Sequence, residues 1–262
     1  MKTISIINLK GGVAKTITAI SMSHILATVH NKRVLLIDND KQGNVSKMFG
    51  IHNYEHPTIS ELLTERDFDI YDVISQSIFT TLDIIPANMT LLYANKQILI
   101  DTERPQQTRL KTALEEIEDE YDYCIIDNAP DLNMSTINAL VASDDVIVPV
   151  KIDNFALDGL AELSAQIKLI QKDFNPNLKL SGCLVTMYQN NDVNKQGKEL
   201  LQERNTLRIF DTHIRRTPKV DESTFAHIPI VEYSRRSAPA RDYLAFINEY
   251  LKVSKSDTKN RG

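Results

Sequence analysis

Lys10-Gly11-Gly12-Val13-Ala14-Lys15-Thr16 gathers two lysines, two glycines and a hydroxyl into seven residues. Glycines let successive backbone N–H groups turn inward around an anion, and a helix beginning at that point adds a favourable dipole. The Lys15 ammonium can bridge the β- and γ-phosphates of a nucleotide, and the Thr16 hydroxyl can ligate Mg²⁺. The flanks suit this chemistry: Thr3–Ile7 reads as a short buried strand, and Lys15–Thr28 as a helix. The general pattern G-x-x-x-x-G-K-[ST] fails, because Leu9 and Ala14 stand at its glycine positions. The segment fits K-G-G-x-x-K-[ST], with an additional lysine, Lys10, at its start. The backbone from Lys10 through Ile17 is then the phosphate cradle.

Two groups of carboxylates follow. Val34–Ile37 runs into Asp38-Asn39-Asp40-Lys41-Gln42-Gly43-Asn44. Acids at the carboxyl end of a parallel strand point into the crevice where such sheets bind ligands. Alone, an Asp-Asn-Asp cluster reads as a polar turn; its place one helix after the phosphate loop favours a ligand site. The apolar run Tyr123–Ile126 ends in Asp127, the form in which P-loop enzymes hold magnesium, here through water. No Ser-His-Asp or Cys-His arrangement competes, because the six histidines, at 24, 30, 52, 56, 213 and 227, sit apart. Cys124 and Cys183 lie within apolar runs and read as core residues of a reducing compartment.

These side chains need a scaffold. The chain has 262 residues, of which 42% are hydrophobic and 25% charged, enough to bury a core without disulfides or metals. Strands are expected at Thr3–Ile7, Arg33–Ile37, Leu82–Ile85, Tyr123–Asp127, Asp145–Val150 and Leu178–Met187. Helices are expected at Lys15–Thr28, Thr58–Thr64, Gln107–Glu118, Ser135–Ala142, Leu157–Phe174, Val193–Arg204 and Ala238–Lys252. The strands are continuous apolar runs and alternate with helices, which predicts a single α/β domain over 1–252. Its sheet is mostly parallel and twisted, with helices on both faces. Residues 253–262 read as a polar, flexible tail. The chain shows neither a membrane-length apolar run nor a secretory leader, so a cytoplasmic location is expected.

The loop at 10–16 resembles that of the ParA/MinD family of ATPases, and the likeness runs from Lys2 to about Leu251. Asp38–Asn44 resembles the family's D-x-D-P-Q-G-N, with Lys41 in place of proline. Asp127-Asn128-Ala129-Pro130 resembles its D-T-P-P, and Phe155–Leu160 and Leu184–Tyr188 continue the match. The resemblance implies ATP and Mg²⁺ as cofactors and a homodimer formed around ATP. In it Lys10 reaches the partner copy's nucleotide, Asp40 positions the attacking water, and Asp38 supports Mg²⁺ or the loop. Thr16 and Asp127 serve the metal, and Met187, Arg215 and Pro218 lie beside the base. Two departures stand in the loop. Ala14 replaces glycine, which is tolerable if φ there is negative. Ile17 replaces a threonine whose hydroxyl touches the α-phosphate, and keeps only the backbone N–H.

Net charge is −5, so any nucleic-acid contact must come from a local patch. Residues 204–241 hold eight Lys and Arg against four Asp and Glu. Ile214–Ser223 resembles a family segment whose basic residues touch DNA, and Arg215, Arg216, Lys219, Arg235 and Arg236 are the candidates for sequence-independent phosphate contact. The resemblance therefore implies a nucleoid-associated ATPase that drives plasmid or chromosome partition with a ParB-type centromere-binding partner. The alternative is a MinD-like membrane-cycling ATPase, which needs Tyr243–Leu251 as an exposed amphipathic helix rather than a core helix.

Overall fold

In the computed structural model, residues 1–153, 156–204 and 207–259 are described, with the side chains of 156–158, 204 and 255–259 outside that description. Phe155 and the Arg204 side chain, both used above, therefore lie outside the described residues. The strands are β1 (Lys2–Ile6), β2 (Val34–Asn39), β3 (Ser75–Gln76), β4 (Leu82–Ile85), β5 (Tyr123–Asn128), β6 (Asp145–Lys151), β7 (Lys179–Tyr188) and β8 (Ile209–Arg215). The helices are α1 (Lys15–Thr28), α2 (Asn44–Met48), α3 (Ile59–Thr64), α4 (Thr90–Ile100), α5 (Arg109–Glu115), α6 (Met134–Ala142), α7 (Ala156–Asp173), α8 (Asp192–Arg204), α9 (Pro218–Phe225), α10 (Ile230–Tyr233) and α11 (Ala238–Lys259).

The strands form one eight-stranded sheet in the order β3-β4-β2-β5-β1-β6-β7-β8. Among the described residues only the β3–β4 pairing is antiparallel. Successive residues of one apolar run feed opposite layers, because a strand alternates its side chains. Val34 and Leu36 pack under α1 and α11, whereas Leu35 and Ile37 pack under α3–α6. A third cluster gathers Val146, Val148 and Val150 of β6 with Leu160, Leu163 and Ile167 of α7. A sheet covered on both faces buries every position, so its strands read as continuous hydrophobic runs.

Sequence patterning and structure part company at several places, among them α4, which no expected helix covers. Strand β2 extends through Asp38 and Asn39, which are therefore buried ladder residues rather than loop residues. Strand β8 lies inside the basic segment, where an edge strand buried only at Phe210 and Ile214 carries no apolar run. Helices α2, α9 and α10 are too short to show a period. Helix α11 continues past Lys252 to Lys259, so part of the expected tail is helical. Its apolar face is spent on the core: Tyr243, Phe246, Ile247 and Tyr250 are all buried, and the Phe246 ring meets Phe210 edge-on at 5.0 Å between centroids. Among the described residues no helix is long and apolar enough to cross a membrane.

Truncating Phe246 leaves a cavity between α11 and β8. Phe246→Ala is expected to cost about 3–5 kcal/mol in urea denaturation; an unchanged midpoint would place α11 outside the core.

Candidate functional site

The loop between β1 and α1 sits at the carboxyl end of the central strand, where connections leave the sheet in opposite directions and a crevice opens. Three side-chain bonds fix its path. Asn8 donates from Nδ2 to the Pro149 carbonyl (2.8 Å) and accepts from the Lys10 N–H (2.9 Å), while Thr186 Oγ1 donates to the Val13 carbonyl (3.0 Å). Gly12 has φ +70°, which glycine adopts without strain. Ala14 also lies in the left-handed region, at φ +62°, so the condition under which alanine replaces glycine without strain is not met. Left-handed geometry costs an alanine about 1–2 kcal/mol. It is held in place because the Ala14 carbonyl accepts from both the Thr18 N–H (3.0 Å) and Thr18 Oγ1 (2.7 Å). Nothing stands within 4 Å of where a Cβ would project from Gly11 or Gly12, and α1 begins with no side-chain cap and no acid in its first turn. Its leading N–H groups are thus left to an anion.

Charge around the loop is concentrated and buried. Lys15 is 8% exposed and donates from Nζ to the Lys10 carbonyl at 3.1 Å. Burial lowers the pKa of its ammonium, against the opposing pull of Asp127, Asp40 and Asp131. Asp127 is 1% exposed, and neither carboxylate oxygen has a hydrogen-bond partner. Burial, and then the proximity of Asp38, push its pKa well above the usual carboxylate range; the Thr16 hydroxyl offsets this in part without closing a bond of ordinary geometry. Asp38 faces Asp127 across the β2–β5 ladder but is already engaged. Its Oδ2 accepts from the Ser46 N–H (2.8 Å) and Ser46 Oγ (2.7 Å), and its Oδ1 from the Asp40 N–H (3.3 Å). Burial still raises its pKa to about 7. Asp38 thus ties the turn after β2 to helix α2. Asp40, at the mouth, accepts from the Gln42 N–H at 2.9 Å.

An orphaned, buried carboxylate beside a threonine hydroxyl and a lysine suits a hard dication with most of its ligands drawn from phosphate and water. Among the described residues no three His, Cys, Asp or Glu side chains form a self-sufficient metal cluster. Magnesium is therefore a fitting occupant, and a metal chelated wholly by protein is not.

Beside the loop a cavity of about 150 Å³ is lined by Ala14, Ile17, Met187, Arg215, Val220 and Tyr243, among others. Its apolar side suits a base, and Lys151, Arg216, Thr217 and Asp221 make the rest of its wall polar. Met187, within β7, has a left-handed φ of +52°. Pro218, expected beside the base, is the first residue of α9 and does not line this cavity. The Lys10 ammonium is ion-paired within its own chain, to Asp153 after β6. Sequence reasoning assigned no role to Asp153, Ser46 or Thr186. Each acts through a contact distant in sequence, and no local motif marks it.

The basic segment is less positive in three dimensions than in sequence. Arg215 holds Asp242 through Nε (2.9 Å) and Nη2 (2.6 Å), Arg208 lies 3.9 Å from Glu249, and Lys219 pairs with Glu222 at 2.5 Å. Asp242 and Glu249 belong to α11 and fall outside the window counted above. Arg216, Arg235 and Arg236 are exposed and form no ion pair among the described residues.

The central loop with its two lysines, on a parallel sheet closed by an aspartate-ended strand, defines a P-loop nucleoside-triphosphatase fold. The sequence model of a family described as an AAA domain matches residues 1–180. The sporulation initiation inhibitor protein Soj of Bacillus subtilis (strain 168) is 37% identical over 250 residues, covering 95% of this chain and 97% of that protein. The chromosome partitioning protein ParA of Myxococcus xanthus (strain DK1622) is 34% identical over 254 residues, covering 96% and 88%. Among solved structures, cobyrinic acid a,c-diamide synthase from Mycobacterium smegmatis with bound ADP and magnesium superposes with a TM-score of 0.85 at 29% identity, over 98% of this chain and 96% of that one. This chain belongs to the ParA/Soj-type family of P-loop ATPases.

The carboxylate pair gives a signed prediction for the nucleotide-free protein. The folded state holds the Asp38 and Asp127 protons more tightly than the unfolded chain, so their contribution to stability is lost as pH rises from about 4 towards 7 and above. Asp127→Asn removes the charge and is expected to raise stability at pH 8 by about 1–3 kcal/mol while flattening that fall. Thermal melts of both proteins across pH test it; equal pH dependence would mean that Asp127 is not ionising in a dry site.

Proposed function

We propose that this chain is an ATP-dependent, dimerising ATPase that binds DNA without sequence preference and partitions plasmid or chromosomal DNA with a ParB-type partner. The observation that supports it best is the pairing of a two-lysine loop with the unpartnered Asp127, in a chain resembling Soj and ParA over nearly its whole length. Lys15 and the first-turn N–H groups of α1 bind the β- and γ-phosphates. Thr16 and Asp127 hold Mg²⁺, which when bound offsets the charge that develops on the transferred phosphoryl. Asp40, fixed by Gln42 at the mouth, orients the attacking water. Ile17, Met187, Arg215 and Tyr243 frame the base. Lys10 serves a second copy of the chain, and to do so it exchanges Asp153 for that copy's phosphates. DNA contact falls to Arg216, Arg235 and Arg236 in the first place, because Arg215 and Lys219 already carry carboxylate partners. Such a protein works in the cytoplasm at the nucleoid. The membrane-cycling alternative loses its anchor, since the apolar face of α11 is buried.

Three variants separate the steps. Lys15→Ala is expected to abolish ATP binding in calorimetry, Lys10→Ala to bind ATP as a monomer, and Asp40→Ala to accumulate an ATP-bound dimer with phosphate release reduced about 100-fold or more. Normal dimerisation by Lys10→Ala, read by light scattering, would remove the trans role of that lysine.

DNA binding should follow the dimer. Doubling the patch doubles the phosphate contacts, and with them the slope of log affinity against log salt. Mobility shifts of unrelated duplexes are expected only with ATP, and Arg216→Glu with Arg235→Glu is expected to abolish them while dimerisation persists. Equal shifts with and without ATP would contradict the switch.

A further inference from the structure

Tyr243 of α11 lends its side chain to the wall of the base cavity, and its hydroxyl meets Thr18 of α1. Both residues are fully buried. The direction of their contact follows from what each group can do. A hydroxyl has one proton to give and lone pairs to accept with. The Ala14 carbonyl can only accept, and it lies 2.7 Å from Thr18 Oγ1. The Thr18 proton therefore goes to Ala14, and Tyr243, 3.1 Å away, donates to Thr18 Oγ1. Burial raises the Tyr243 pKa, so the phenol keeps the proton it donates. The result is a one-way chain from the Tyr243 hydroxyl through the Thr18 hydroxyl to the Ala14 carbonyl. Each link in such a chain polarises and strengthens the next.

A threonine that bonds back to the carbonyl four residues earlier is ordinary in a helix. Here the accepting residue is Ala14, at φ +62°, and its carbonyl also takes the Thr18 N–H at 3.0 Å. Glycine would adopt that φ unaided, whereas alanine persists there only when its surroundings over-determine it. Helix α11 supplies such surroundings from two consecutive residues. Tyr243 reaches the loop through Thr18. Asp242 grips Arg215, another wall residue of the same cavity, by accepting from its backbone N–H (3.0 Å), Nε (2.9 Å) and Nη2 (2.6 Å). The helix is itself anchored in the core by Phe246, Ile247 and Tyr250.

We propose that Thr18 and Tyr243 are positioning residues, whose hydroxyl chain holds Ala14 left-handed and so keeps the phosphate cradle formed before any ligand arrives. Released from that chain, Ala14 relaxes towards negative φ and the N–H groups of the cradle diverge. A polyphosphate must then restore the strain as it binds, and its affinity falls. The effect on phosphate affinity rests on the ATPase reading above; the hold on Ala14 does not.

The test uses the full chain and three variants. Thr18→Val keeps the shape and loses the hydroxyl, Thr18→Ser keeps the hydroxyl, and Tyr243→Phe keeps the ring. Each is made alone and together with Ala14→Gly. Calorimetry measures binding of Mg–ATP and of Mg–tripolyphosphate, which has no base. Thr18→Val and Tyr243→Phe are each expected to weaken both ligands by one common factor, about threefold to tenfold. Combined, they should cost no more than Thr18→Val alone, and Thr18→Ser should bind as the native chain does. With Ala14→Gly present, the losses should shrink below about twofold. A loss confined to Mg–ATP would make Tyr243 a base contact only, and an equal loss with and without Ala14→Gly would leave a merely structural role. Either result, or unchanged binding by both Thr18→Val and Tyr243→Phe, would overturn the proposal. Urea unfolding without ligand is the second readout: both variants should lower the midpoint, and less so with Ala14→Gly. Equal lowering in the two backgrounds would overturn the hold on Ala14. If Thr18→Val does not fold, Tyr243→Phe carries both measurements. A native chain that binds neither ligand, with the urea pattern as expected, would instead fault the nucleotide reading and leave the hold on Ala14 standing.

Discussion

The carboxylate of Asp127, buried without a hydrogen bond beside Lys15, is the interaction around which the structure is arranged. A charge in that position is costly unless something compensates it. The eight-stranded sheet supplies the setting: β5 carries Asp127 to the carboxyl edge, β1 delivers the loop next to it, and β2 brings Asp38 and Asp40 alongside. Lys15 compensates only in part, because its own burial works against its charge. The site is thus built for a divalent cation and a polyphosphate together, and is poorly satisfied by protein groups alone.

The same constraint explains the strain nearby. Ala14 stands in the left-handed region although it is not glycine, and Thr18 holds its carbonyl there with two hydrogen bonds. Thr18 Oγ1 also lies 3.1 Å from the Tyr243 hydroxyl, so the loop is coupled to α11 and, through Tyr243, to the wall of the base cavity. Backbone strain kept in place by its surroundings at a ligand-binding loop is a recurring way of pre-organising a site. At Gly43, φ +62°, the chain avoids such strain: a Cβ there would meet His52 at 2.6 Å and the Ala87 carbonyl at 2.7 Å, so the turn that starts α2 tolerates only glycine.

Much of this was legible in the amino-acid sequence, and the parts that were not share a cause. The phosphate loop, the acids at the ends of β2 and β5, and the buried strands are local patterns, and the structure places all of them around one crevice. The φ of Ala14 is not legible in the sequence because residue type reports preference, whereas the ties from Asn8, Thr186 and Thr18 impose the geometry. Strand β8 was hidden because an edge strand need not be apolar. The basic segment looked more positive than it is, because its partners Asp242 and Glu249 sit on a helix beyond it. Asp153 and Ser46 were invisible for the same reason: their contacts exist only once the chain has folded.

The central claim is that burial raises the Asp127 pKa in the empty site and that magnesium and nucleotide together lower it. Calorimetry of preformed Mg–ATP binding at pH 7, in buffers of different ionisation enthalpy, measures it directly, since metal ligands must shed their protons on binding. Net proton release on binding is predicted, with Asp127→Asn reducing the release and abolishing the magnesium dependence. Nucleotide binding with no proton release, unchanged in Asp127→Asn, would contradict the account.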